Sequence, residues 1–121
     1  MMILTGCASS AKKAGLEKAT KGFARALRDG DESILLAFVH PEQRNVFAKN
    51  SAPLKDLHFS DVEVKKIFPD DKFETALVLI NMEFYSQESA SLMSSVRQFN
   101  WEYDGKAKAW LLKESTPFGS K

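Results

Sequence analysis

The sequence predicts an α+β domain, three N-terminal helices packed on an antiparallel sheet of about four strands. Two observations carry this. In residues 14–57 apolar side chains recur at three- and four-residue steps, the period of a helix. From Phe59 onward the apolar residues alternate, the period of a strand, and they include most of the large ones. Helices first and strands second give segregated layers, and the 121 residues fit one domain.

Leu16, Ala19, Phe23, Ala26 and Leu27 form one stripe of the first helix, and Lys12, Lys13, Lys18, Lys21, Arg25 and Arg28 occupy its other faces. Glu17 is the one counter-charge within that run. Gly30 is a left-handed stop and Asp31 an N-cap for a short second helix carrying Ile34, Leu35, Phe38 and Val39. Pro41 opens a third helix, where its missing N–H costs nothing, and Gln43 is placed to reach back as a cap. Val46 and Phe47 point inward, and Asn50, Ser51 and Pro53 end the helix. Strands follow at 59–68, 72–85, 92–103 and 109–114, with turns at Pro69-Asp70-Asp71 and Asp104-Gly105.

Hydrophobic residues make up 44% and charged residues 27% of the chain, ordinary globular usage. The net charge of +1 argues against a nucleic-acid partner, which requires a clustered positive excess. Cys7 is the single cysteine, so there is no internal disulfide and no CxxC metal knuckle. His40 and His58 have no HExxH spacing, and no phosphate loop or GxSxG elbow occurs. No metal or cofactor is expected.

Leu4-Thr5-Gly6-Cys7, followed by Ala8-Ser9-Ser10, resembles the lipobox of bacterial lipoproteins. The resemblance implies that Cys7 becomes an acylated N-terminus, that residues 1–13 are signal remnant, lipobox and tether, and that 14–118 are the folded domain. Only Met1, Met2, Ile3 and the motif's own Leu4 stand before Thr5-Gly6-Cys7, short of the ~7–15 apolar residues of a signal core, so the signal itself is expected upstream of Met1. The alternative is a cytosolic protein with a chance match. With Ala8 after the cysteine, the lipoprotein family's sorting rule implies a lipid-anchored place in the cell envelope, at the outer membrane in a two-membrane bacterium. The basic helix would then lie near anionic lipid; a merely solvated face is the alternative.

The order of elements over 14–118 resembles the nuclear-transport-factor-like (cystatin-like) superfamily. Phe23-Ala24-Arg25-Ala26-Leu27-Arg28-Asp29-Gly30-Asp31 matches its helix, Gly-Asp, short-helix opening, and Asp104-Gly105 to Trp110-Leu111-Leu112 its closing turn and Trp strand. The resemblance implies a strongly curved, cone-shaped sheet with the helices in its concave side. Enzymes of that superfamily use a buried Asp or His base with a Tyr, Asp or His partner, a set that cannot be placed here.

Arg97, Phe99, Trp101 and Tyr103 share one strand face and are the candidate ligand-binding residues, suited to a small hydrophobic or anionic ligand. The alternative is that the two central aromatics are core and the outer two reach water. Glu83 is the expected partner of Arg97 if the cation is paired internally. His40 and Arg44 are either a polar mouth or a helix cap with a solvated cation, and His58 receives no role. The favoured function is a lipid-anchored, non-catalytic envelope domain that binds a small molecule or a protein. An isomerase or dehydratase using Asn81, Glu83 or Tyr103 is the alternative. A homodimer through an open sheet face is a third.

Overall fold

The computed structural model describes residues 2–86, 88–89 and 91–120, with side chains described from Ser10 onward. Helix α1 spans Met2–Asp29, α2 Glu32–Phe38 and α3 Arg44–Asn50. Single 3-10 turns at Pro41–Gln43 and Ala52–Asp56 bracket α3. Strands β1 (Leu57–Pro69), β2 (Thr75–Ser86), β3 (Met93–Asp104) and β4 (Ala109–Leu112) form one antiparallel sheet in chain order. The expected α+β architecture is what forms. One difference lies at the start, where the stretch expected as a tether continues helix α1.

Helix α1 stops as its sequence implies. Gly30 takes φ +69°, and Asp31 N–H donates back to Ala26 O at 3.0 Å, a left-handed cap that closes the last turn. Asp31 then caps α2 by accepting from Ile34 N–H at 3.2 Å. Gln43 precedes α3 without making a side-chain cap, and it is the 3-10 turn ahead of it that is capped, by His40, whose Nδ1 accepts from Glu42 N–H at 3.3 Å. Gln43 Oε1 is instead buried without a hydrogen-bond partner among the described residues.

The sheet curls because β1 carries two irregularities, between Phe59 and Asp61 and between Val64 and Lys66. Each adds a residue to one strand only, which bends the ladder and raises its twist. The inward residues Phe59, Val62, Val64 and Ile67 therefore step by three, two and three instead of a uniform two. Strand β2 begins at Thr75, three residues later than expected, since Phe73 takes φ 54° inside the turn. Asp70 holds that turn, its Oδ1 accepting from Glu74 N–H at 2.7 Å and Thr75 N–H at 3.2 Å.

The core fills the concave side. Leu16, Phe23 and Leu27 of α1 meet Leu35, Phe47, Val78, Ile80, Met82, Phe99 and Trp101, all essentially without exposed surface. Thr20, a polar residue on that apolar stripe, is satisfied by its own helix, donating to Leu16 O at 2.9 Å. After β4 the chain returns to the free edge of β3, where Gln98 and Ser120 exchange backbone hydrogen bonds of 2.6 and 2.9 Å.

Candidate functional site

Cross-strand pairing fixes which face each candidate occupies. Arg97 lies opposite Ile80, Phe99 opposite Val78, Trp101 opposite Ala76 and Tyr103 opposite Trp110, all on the concave face. They do not form one open cavity. Phe99 and Trp101 are sealed in the core, with Phe23 5.4 Å from Phe99 and 5.6 Å from Trp101, both edge-on. Of the two readings of these aromatics, their burial fits the core: α1 lays Phe23 directly over them.

Arg97 is half-buried, and its Nε donates to Ser95 Oγ at 3.0 Å. It does not pair with Glu83, which lies opposite Ser94 on the outer face. The offset between Arg97 and Ser94 is an odd number of residues, so the two carboxylate and guanidinium groups leave opposite sides of the sheet. Asn81 is outward too, its Oδ1 accepting from Ser94 Oγ at 3.2 Å. Asn81 and Glu83 are thus separated from Tyr103 by the sheet itself. The outer face also carries the half-exposed Phe68 and Val96.

Tyr103 does reach an open site, at a place the sequence did not mark. A groove of about 890 Å³ runs along α1, walled by α2 on one side and by the β3–β4 end on the other. Its floor is made by Ala11, Gly15, Ala19 and Gly22, which recur at steps of four and three and so share a stripe beside the buried one. Their small size lets the walls come close. A Cβ on Gly22 would stand 2.9 Å from the Phe38 ring, whereas one on Gly15 would meet Trp110 Cδ1 at 3.7 Å.

Trp110 opens β4 at the near end of this groove. It meets the first half of α1, donating its indole N–H to Lys12 O at 2.9 Å. Its ring packs edge-on against Tyr103 at 5.6 Å. Above that pair the Lys12 ammonium lies 4.7 Å from the Tyr103 ring centre, within cation–π range. Lys18, Lys21, Arg25 and Lys108 complete a cationic rim, and among the described residues no Asp or Glu lines the groove. None of these five cations is in an ion pair among the described residues, whereas Lys65 and Lys113 on other surfaces are.

The remaining polar candidates are structural. His40 is the cap described above, Arg44 Nε donates to Val39 O at 2.9 Å, and the His58 ring stacks on Tyr85 at 5.3 Å. Among the described residues no cluster of His, Cys, Asp and Glu is arranged to hold a metal ion. Among the described residues no helix is long and apolar enough to cross a membrane. The Cys7 side chain, expected to be lipidated, lies outside the described residues.

No protein-family model matches the chain. No curated protein matches it either. Solved structures do. A SEC-C motif containing protein from Psychrobacter arcticus superposes with a TM-score of 0.64 at 12% identity, over 82% of this chain, which spans 58% of that protein. A ketosteroid isomerase-like protein from Erwinia carotovora matches with a TM-score of 0.58 at 14% identity, covering 85% of this chain and 90% of that one. A protein from Nostoc punctiforme with a cystatin-like fold matches at 0.53 and 13% identity, over 83% and 84%. At such identities the likeness speaks for the fold alone. The three helices and curled four-stranded sheet of this chain are the fold of the ketosteroid isomerase-like and cystatin-like proteins.

Proposed function

We propose that this chain is a lipid-anchored cell-envelope domain that binds a small hydrophobic ligand in the groove along α1 and performs no chemistry on it. The observation that carries the binding reading is the groove itself. It has an apolar floor and walls, a volume of about 890 Å³ in the range of small-molecule sites, and a rim of like charge. The anchor rests on Leu4-Thr5-Gly6-Cys7, with acylated Cys7 as the mature N-terminus and the outer membrane as its place in a two-membrane bacterium.

An isomerase or dehydratase is less favoured. Asn81 and Glu83 face the outside of the sheet, away from the groove that holds Tyr103, so the residues proposed for that chemistry cannot meet on one substrate. Ala11 lies four residues after Cys7, which sets the groove beside the membrane surface if the anchor is present.

The anchor is tested by expressing the chain behind a functional lipoprotein signal. Wild type is expected to partition into detergent and to carry the mass of its acyl chains, and Cys7→Ser to remain in the aqueous phase without them. A free Cys7 thiol on protein recovered from the cytosol contradicts the anchor.

A further inference from the structure

Resting on the groove as the ligand site, we infer that its ligand class is a single-chain amphiphile with an anionic head, a fatty carboxylate or its sulfate or phosphate counterpart, taken up as a free monomer. Charge is the first argument. The chain as a whole is close to neutral at +1, yet five cations and no carboxylate line this one groove. Elsewhere on the surface opposite charges sit together, as in Lys65 with Glu63 and Lys113 with Glu42. A concentration of one sign over low-dielectric walls focuses the field and selects a ligand of the other sign.

Shape is the second argument. The floor from Ala11 to Gly22 is about 16 Å long at the helical rise. Small residues along it leave a trough in which an extended chain can lie, with Phe38 on one wall and Trp110 on the other. A bulky or branched ligand gains nothing from that length.

The head group is placed by the helix. Lys18, Lys21 and Arg25 follow one another at steps of three and four, so their charges project from neighbouring turns of the same face. The geometry puts the anion there and the tail over Gly22 and Gly15 toward Trp110. At that far end the Lys12 ammonium is already held against the Tyr103 ring, which leaves the floor apolar where the tail passes.

Calorimetric titration of the full chain with laurate, dodecanol and dodecyltrimethylammonium tests this, each below its micelle concentration. Laurate is expected to saturate at one per chain, and dodecanol to bind at least tenfold more weakly. The triple variant Lys18→Gln, Lys21→Gln, Arg25→Gln should lose at least tenfold in laurate affinity, and a Lys65→Gln, Lys66→Gln control should not. Gly15→Leu, which fills the trough, should abolish binding while its thermal melt shows that it is folded. Equal affinity for all three amphiphiles, still blocked by Gly15→Leu, overturns the anionic class and leaves the groove as a site. No saturable binding of any of them overturns both. Binding to phosphatidylglycerol vesicles without saturable binding of free laurate overturns the monomer ligand, since the cations then read a membrane surface.

Discussion

Gly119 takes φ +59°, and a Cβ there would overlap Gln98 O and the Phe99 ring. That single position lets the C-terminal tail lie flat on the edge of β3. Gly119→Ala should therefore lift the tail, with a loss of about 1–2 kcal/mol from the strained conformation. Hydrogen exchange at the Gln98 amide reads it directly, and unchanged protection would contradict the assignment. Asp70 works differently. The Glu74 N–H holds its carboxyl below the usual carboxylate range against a smaller opposing effect of desolvation, and the Thr75 N–H adds a lesser lowering. A carboxyl depressed in the folded state contributes stability above its unfolded value, about 3.9, and loses it as pH falls through the lower folded value. Stability measured from neutral pH downward should thus fall in that acid window, and Asp70→Asn should flatten that part of the curve. Trp101 is the simplest case: buried against Phe23 and Phe38, it should cost about 3–5 kcal/mol when replaced by Ala.

Helix α1 serves two surfaces at once, and Gly15 and Gly22 tell them apart. Replacing a mid-helix Gly by Ala gains up to about 1 kcal/mol from propensity. At Gly15 the new methyl meets Trp110 at an ordinary contact distance, so Gly15→Ala should raise the melting temperature. At Gly22 it strikes Phe38, whose ring is held 6.2 Å from both Phe23 and Trp101, so Gly22→Ala should lower it. Parallel thermal melts check the opposite signs. The elements themselves were legible in the sequence because their signals are local: the Leu16–Leu27 stripe, the Gly30-Asp31 stop and cap, and the alternation from Ala76 to Phe84 each need only neighbouring residues. The bulges of β1 were not read: uniform alternation was the expectation, and the three-residue steps from Phe59 to Val62 and from Val64 to Ile67 gain their meaning only from the pairing with β2. Which end of α1 receives Trp110 was not legible, because it depends on strand register and on the curl of the whole sheet.

At the scale of the molecule the same limit explains the site. A strand face tells which side chains point together; it does not tell what lies over them. Phe99 and Trp101 can be read as cavity wall or as core until Phe23 is seen to cover them, and Tyr103, beyond the end of that cover, meets the groove along α1. The groove's own signal was present as small residues at Ala11, Gly15, Ala19 and Gly22, but such a stripe says nothing of a binding site until α2 and β4 are placed beside it. The outer face of the sheet remains a separate surface, carrying Phe68 and Val96 among charged neighbours.

The central claim is that ligand enters the groove along α1, and chemical-shift mapping tests it most directly. On titration with laurate, the amides of Gly15 and Gly22, the Tyr103 ring and the Trp110 indole N–H should move together and saturate together. Shifts confined to the outer face, at Leu79, Asn81 and Val96, with the Trp110 indole unmoved, would contradict the account.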